Sequence, residues 1–402
     1  MAVYNKVMRF ALGDAGATAA IGVNITQARY NAMIDHGDGD LATGFASPTD
    51  QAPVPMSSTT VGSICHDWSG NLYITDSARH AIYKIAEDNA LTIVAGLPGT
   101  PGNLSDVTIK DASNLNRAAF AGPEGICCDK SGNLYVADTG NNCIKMIANG
   151  RISLIAGAAA GFVDADRAAM AAAGTNAATV ARFRTPRDLA IDKSGNLYIA
   201  DTENHAIRKI NKGGEVLTIA GNGHAGDAHN VAANKYTASF DTPVGVTVDP
   251  SGNVYVLDGV NNYIKKITPN GWIYRFSGSG VSGRSLGTLD LTDPDHPYTY
   301  SDNCTYEYLS GIDADESGNI YVIDMGLAQT NSRLIKIDAS GRPGVVVDFS
   351  GVTDDWFIVD VTCTPGQKLY VTVSNEMWTE ASTSSASSSS SSYVENWSSS
   401  SD

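Results

Sequence analysis

The chain has 402 residues, with 43 Asp and Glu against 27 Lys and Arg, for a net charge of −16. That balance argues against nucleic acid, whose binding rests on neutralised phosphates. No apolar run reaches eighteen residues, and Asp14 interrupts the apolar stretch near the start, so neither membrane insertion nor a signal peptide is expected.

In chain order, Val7-Met8-Arg9-Phe10-Ala11-Leu12-Gly13 reads as a strand whose pattern returns in Tyr274-Arg275-Phe276-Ser277-Gly278. Residues 15–60 read as an insertion. Within it, Asp35, Asp38 and Asp40 have oxygen-rich spacing that suits calcium, but the run lacks the closing Glu of a twelve-residue loop. One phrase then recurs from residue 61 to 351: Ser69-Gly70-Asn71-Leu72-Tyr73-Ile74, Ser131-Gly132-Asn133-Leu134-Tyr135-Val136, Ser194-Gly195-Asn196-Leu197-Tyr198-Ile199, Ser251-Gly252-Asn253-Val254-Tyr255-Val256 and Ser317-Gly318-Asn319-Ile320-Tyr321-Val322.

Each phrase follows a β-prone run ending in Asp (Asp67, Asp129, Asp192, Asp249, Asp315). A strand, a turn whose amides bond to that Asp, a Gly with positive φ and a second strand make a bulged hairpin. The second strand ends in another Asp (Asp76, Asp138, Asp201, Asp258, Asp324). A third strand such as Ile144-Lys145-Met146-Ile147 and a fourth closing on Gly complete the unit. Four antiparallel strands per repeat predict a blade of a β-propeller.

The pattern Asp-x-Ser-Gly-Asn-Leu-Tyr-Val-Ala-Asp-Thr-x-Asn-Asn/His-x-Ile-x-Lys-Ile, clearest at Asp129 to Ile147 and Asp192 to Ile210, resembles the NHL-repeat propellers. The resemblance implies an all-β fold and leaves function open, since propellers host many activities. The second Asps stand at 76, 138, 201, 258 and 324, so successive repeats are 62, 63, 57 and 66 residues apart, longer than a minimal blade of about 40 to 45 residues. Phe357 to Thr362 and Lys368 to Val373 start a sixth unit without a closing strand. The predicted fold is therefore a six-bladed β-propeller of NHL-type four-stranded blades: 1–14 supply the closing strand, 61–351 five full blades, 352–380 a partial sixth, and 381–402 a Ser-rich tail.

The extra length lies in insertions at 97–121, 158–186, 222–243 and 279–308. By strand alternation they emerge on the same face as the second-to-third-strand turns, making one loop-rich face the expected contact surface. Val163 to Gly174 reads as a short helix with acids in its first turn. The insertion at 279–308 is rich in Tyr; Tyr298, Tyr300, Tyr306 and Tyr308 are candidate partner contacts. Lys84, Lys145, Arg208, Lys209, Lys265, Lys266 and Lys336 recur in the third strand and are expected to be solvated.

The six cysteines show neither metal spacing nor a disulfide framework; Cys65 and Cys127 share a first-strand position, as do Cys128 and Cys363 one residue later, which fits small buried hydrophobes. His80 and His205 stand in the repeat's Asn/His turn and read as structural. The resemblance extends to amidating lyases and lactonases that hold a metal in a propeller channel. Here only His66 is placed to face the channel, with Asp188 and Asp313 as the nearest acids, a poor ligand set. The weak metal candidates are thus His66, Asp313, Asp35, Asp38 and Asp40; no cofactor is expected beyond calcium.

From Ser382 to Asp402, 13 of 21 residues are Ser, with Tyr393-Val394-Glu395-Asn396-Trp397 as an apolar island. Such a segment cannot fold alone. Tyr393 and Trp397 are candidate partner contacts, and the composition resembles tails of some phage structural proteins. The expected function is a non-enzymatic structural or interaction propeller on a virion surface, binding other copies of itself, assembly subunits or a host surface. The alternatives are a cytoplasmic or cell-surface scaffold or sensor and, third, a metal-dependent lyase or lactonase.

Overall fold

A computed structural model describes residues 6–11, 23–26, 41–42, 61–86, 91–109, 116–157, 159–173, 180–228, 231–232, 237–286, 304–326, 332–339, 341–351, 357–364 and 368–374. Strands are numbered β1 to β27 along the chain. Near the start lie β1 (Lys6–Ala11), β2 (Val23–Thr26) and β3 (Leu41–Ala42). Blade one is β4 (Val61–His66), β5 (Leu72–Asp76), β6 (Ala81–Ile85) and β7 (Leu91–Gly96). After β8 (Val107–Thr108), blade two is β9 (Pro123–Cys128), β10 (Leu134–Asp138), β11 (Cys143–Ala148) and β12 (Arg151–Ala156). Blade three is β13 (Pro186–Ile191), β14 (Leu197–Asp201), β15 (Ala206–Ile210) and β16 (Val216–Ala220). After β17 (Val231–Ala232), blade four is β18 (Pro243–Val248), β19 (Val254–Asp258), β20 (Tyr263–Ile267) and β21 (Trp272–Ser277). Blade five is β22 (Leu309–Ala314), β23 (Ile320–Asp324), β24 (Arg333–Ile337) and β25 (Pro343–Gly351). Last come β26 (Phe357–Cys363) and β27 (Lys368–Ser374).

The described chain thus holds five complete blades of contiguous sequence, not six. A sixth sheet, in the order β26-β27-β1-β3, is assembled from both chain ends, with Met8 opposite Val371 and Arg9 opposite Tyr370. Strand β26 packs between β22 and β4, so the innermost strands follow one another around a closed ring. The cores lie between successive blades. Ile126 and Leu134 of blade two pack with Tyr73 and Ile82 of blade one, and Tyr370 of β27 packs against the cluster around Ile64 and Ile74.

The insertions have scaffold work. An outer strand exposes a row of unpaired N–H and C=O groups. Strand β8 covers that edge on β12, and β17 covers it on β21. Ala165 bridges Val216 on β16, while β2 runs parallel to β25. These pairings also correct the helix. Val163 and Ala165 are held in bridges with Arg182 and Val216, so the helix α1 starts only at Arg167 and ends at Ala173. Asp166 caps it by accepting the Ala169 N–H at 2.7 Å.

The third-strand cations are a second correction. Lys145, Arg208 and Lys265 are fully buried. Each pairs with the second Asp of its blade: Lys145 with Asp138 at 2.7 Å, Arg208 with Asp201 at 2.7 Å, Lys265 with Asp258 at 2.6 Å. Each also donates to carbonyls of the preceding insertion, at Ala119, Arg182 and Ser239. In blade five Arg333, two positions earlier on its strand, takes the same role, pairing with Asp324 and donating to the carbonyls of Arg284 and Thr305. The other Asp oxygen accepts the N–H of Ala121, Arg184 or Asp241. Aromatic rings close the site, with Phe120, Phe183 and Phe240 5.4, 5.1 and 5.2 Å from the three cations. A buried charge must be paired, and the clamp doing so stitches each insertion to its blade. The remaining cations, Lys84, Lys209, Lys266 and Lys336, lie half-buried over the repeat tyrosines Tyr73, Tyr198, Tyr255 and Tyr321.

His80 and His205 are structural, as expected. Both have positive φ, a conformation Asn also tolerates. Their Nδ1 atoms accept the N–H of Gly122 and Thr242 on the next blade, and Asn142 Oδ1 accepts that of Thr185 in the equivalent place. All six thiols are free, and all but Cys128 are buried.

Candidate functional site

The recurring phrase builds a saturated turn. In blade one, Asp67 Oδ1 accepts the N–H groups of Ser69 and Asn71, and Oδ2 accepts Asn71 Nδ2–H and the Tyr73 hydroxyl. The same set recurs at Asp129, Asp192, Asp249 and Asp315, with Tyr hydroxyl distances of 3.1 to 3.3 Å. The turn glycine sits at φ +81 in blade one, where a side chain would be strained. Burial pulls the Asp67 and Asp192 carboxyls up, but the hydrogen bonds outweigh it and hold both below the usual value.

One letter of the turn varies, the residue between Asp and Ser. Around the ring it is Trp68, Lys130, Lys193, Pro250 and Glu316. Trp68 is 59% exposed, and Lys130, Lys193 and Glu316 are exposed. Lys130 Nζ lies 6.0 Å from the centre of the Trp68 ring.

These residues rim a cavity of about 860 Å³ whose walls are the innermost strands β4, β9, β13, β18, β22 and β26. It opens among the hairpin turns, on the face opposite the insertions. In every blade a bulge interrupts the innermost pair near its far end. Bulges re-aim side chains. Just after it come, from blade one onward, Ser63, Gly125, Asp188, Gly245, Gly311 and, on β26, Asp360.

Three wall carboxylates bind the neighbouring strand. Asp188 Oδ2 accepts the Val246 N–H at 2.8 Å. Asp360 Oδ2 accepts the Ile64 N–H at 2.9 Å. Asp313 Oδ2 accepts the Cys363 N–H at 2.8 Å and the Thr362 hydroxyl at 3.1 Å. Burial pushes all three carboxyls up against the pull of these amides, Asp360 to about 7, and the negative charge of Asp360 adds to the shift at Asp188. His66 lies within reach of the Thr362 hydroxyl, Nδ1 to Oγ1 3.0 Å; burial lowers its pKa, with the Asp313 charge opposing. The thiols of Cys65 and Cys127 are held well up by burial.

The structure therefore brings together His66, Asp188 and Asp313, and adds Asp360 and Thr362 from the chain's last described strands. Among the described residues, no group of three or more His, Cys, Asp or Glu is arranged to hold a metal ion. Tyr306 is not a contact residue: it is fully buried with its hydroxyl against Ser277. Tyr308 is 50% exposed on the insertion face. Asp35, Asp38, Asp40, Tyr298, Tyr300, Tyr393 and Trp397 lie outside the described residues. The signal for Asp360 was present in the sequence as a column, read at a fixed distance before each turn, in which an acid follows two small residues, twice over. Among the described residues no helix is long and apolar enough to cross a membrane.

The Teneurin NHL domain family matches residues 63–211. NHL repeat-containing protein 2 of Gallus gallus is 32% identical over 165 residues, covering 37% of this chain and 21% of that protein. Teneurin-4 of Homo sapiens is 26% identical over 318 residues, covering 76% of this chain and 10% of its own. This chain thus corresponds to a small part of each relative. Among solved structures, a catalytically inactive virginiamycin B lyase from Staphylococcus aureus aligns with a TM-score of 0.45 at 12% identity, covering 92% of this chain and 99% of that one. Five copies of the Asp-x-Ser-Gly-Asn hairpin on four-stranded blades, together with these matches, make the chain a β-propeller similar to the NHL-repeat proteins.

Proposed function

We propose that this chain is a six-bladed NHL propeller acting as a non-enzymatic interaction module, which takes a protein partner at the hairpin face, over the mouth of the channel. The observation that carries this reading is the one letter of the turn that varies from blade to blade. The turn uses the Asp, Gly, Asn and Tyr of each hairpin and the N–H of its Ser, while the residue between Asp and Ser takes no part in it and is exposed in four of the five blades around an open cavity. The relatives support an interaction role in kind, and the partner is a matter of this proposal.

The wall acids favour binding over catalysis. Each is engaged by backbone amides of the next strand, which suits a residue that holds the ring in shape. A general base needs instead a carboxylate free to take a proton from substrate. A place on a virion surface, drawn from the Ser-rich tail, belongs to this proposal and is tested by cofractionation with purified particles.

The decisive test is panning a displayed peptide library on the full chain, with the W68A/K130E/K193E variant as counter-target. Peptides enriched on the parent and lost on the variant support the reading. No enrichment, or enrichment that the variant retains, overturns it, as would stoichiometric bound zinc or calcium accompanied by lactone or lyase turnover.

A further inference from the structure

The outer edge of blade one differs from the others. In blades two, three and four the insertion just before the blade lays a strand or bridge on its outer edge: β8 on β12, Ala165 on Val216 of β16, and β17 on β21. Blade five takes its cover from near the other end of the chain, β2 on β25. Strand β7 ends its sheet, and no described residue pairs with its outer side. Its sequence, Leu91-Thr92-Ile93-Val94-Ala95-Gly96, has neither the charge nor the proline that blunts an exposed edge. Leu97, the next residue, is 38% exposed.

The segment before blade one lacks the parts that hold a cover in place. At the third-strand position of the clamp cations blade one has Tyr83, opposite Ile74 as Lys145 is opposite Val136. Three residues before the first strand, where blades two to four have Phe120, Phe183 and Phe240, blade one has Ser58. Residues 43–60 also contain Pro48, Pro53 and Pro55, none of which has an N–H to give to a ladder.

We propose that the outer edge of blade one is a strand-addition site, and that Tyr393-Val394-Glu395-Asn396-Trp397 of the same chain pairs with β7 as a fifth strand. Between residues 382 and 402 the aromatic residues and the one Val all fall in this run. As a strand it puts Tyr393 and Trp397 on one face and Val394 on the other. The edge is apolar on both faces too: Ile93 packs toward the last sheet's Tyr370, and Val94 toward blade two. Reach is ample. Strand β27 ends at Ser374, in the sheet that packs beside blade one. Residues 375–392 would reach about 60 Å if extended. Two strand spacings and one sheet spacing, the step from β27 to β7, come to about 20 Å. The site lies on the outer rim of the ring, apart from the channel mouth, so its failure leaves the hairpin-face reading untouched.

The test is hydrogen exchange of the full chain at residues 91–97, read by mass spectrometry. Neighbouring N–H groups of a strand point to opposite edges, so V394P/E395P removes one ladder donor whichever way the strand lies, while V394T/E395T keeps both. The proline variant should exchange faster at 91–97 by about tenfold or more, with residues 151–156 unchanged and the threonine variant close to the parent. The peptide Ser-Ser-Tyr-Val-Glu-Asn-Trp-Ser-Ser, added to the proline variant, should restore the slow rate. Equal rates in the parent and the proline variant overturn the proposal, as does a peptide that restores nothing. Protection of residues 91–97 that grows with chain concentration would hand the strand to a second copy and overturn pairing within one chain.

Discussion

Replacing Lys145 by Met tests the buried clamps, because the ammonium is removed while the stem that packs on Phe120 is kept. The lost contacts are the 2.7 Å pair with Asp138 and the hydrogen bonds to Ala119 O and Asn103 Oδ1. Asp138 keeps the Ala121 N–H and Asn141, but its charge is then buried without a cation. Breaking one side of such a pair costs about 3 to 5 kcal/mol. For a chain of this size the unfolding entropy is roughly 0.8 kcal/mol/K at about 2.1 cal/mol/K per residue, so the melting midpoint should fall by about 4 to 6 °C. The rim variant K193M should shift it by less than about 1 °C, as an exposed lysine contributes little. D138N/K145M, which removes the orphaned charge and keeps an acceptor for Ala121, should regain part of the loss. Differential scanning calorimetry reads the midpoints, and hydrogen exchange should show faster opening of residues 97–121 in K145M. An unshifted midpoint in K145M, or a double variant no better than the single, would refute the clamp argument.

Asp360, Asp188, Asp313, Asp201 and Asp258 all have folded-state carboxyls raised by burial, to about 7 for Asp360 and about 6 for Asp201 and Asp258. Stability from a raised carboxyl is present below its unfolded value and lost as pH climbs through the folded one. The melting midpoint should therefore decline from pH 4 to 7, with His66, whose folded pKa is lowered, opposing; D360N should flatten the decline, and a flat parent profile contradicts the assignment. Deleting residues 1–14 removes β1, the partner of β27, and should lower the midpoint by many degrees in the same calorimeter. Burial pushes the Cys128 thiol up to about 12, so iodoacetamide at pH 8 should label the folded chain far more slowly than the urea-unfolded one, as mass spectrometry would record. Tyr135→Phe deletes one hydroxyl bond to Asp129 and should cost about 1 kcal/mol by the same thermal measurement.

The blades were legible because their devices are local. The turn Asp, the Gly at φ near +80 and the Tyr that completes the turn all lie within seven residues, so the phrase announces the hairpin. The clamps were not legible. Lys145 and Asp138 face each other across one strand pair, but the reason both are buried is the insertion lying over them, with Ala119 and Phe120 arriving from about 26 residues upstream. A third-strand lysine over Tyr and one beneath an insertion look alike in sequence, as Lys265 and Lys266 show by sitting side by side in different environments. Likewise Tyr306 reads as a surface tyrosine in a polar loop, yet occupies the place of Phe120, Phe183 and Phe240 in the other insertions. The channel was half legible: His66, Asp313, Asp360 and Thr362 all fall on recognised first strands, but which neighbouring amide or hydroxyl each one meets depends on contacts between strands far apart in sequence, such as Asp360 with Ile64.

The inner column around the channel gives a reason for the ring to close where it does. A Cβ on Gly125 would stand 2.6 Å from the Cα of Asp188, and one on Gly311 would stand 2.7 Å from the Cα of Asp360. Each of these acids thus needs a glycine on the blade before it, and each then captures an N–H on the strand after it, Val246 in one case and Ile64 in the other. Glycine, acid and captured amide span three successive innermost strands, and the unit occurs twice. Two such units take up six strands, so Asp188 and Asp360 stand three strands apart, and the second capture reaches β4. The bond from Asp360 to Ile64 joins the last described sheet to the first blade with a side chain, while β1 on β27 joins the chain ends with a strand. The same two acids that fasten the ring both line the channel, and the charge of Asp360 adds to the upward shift of Asp188.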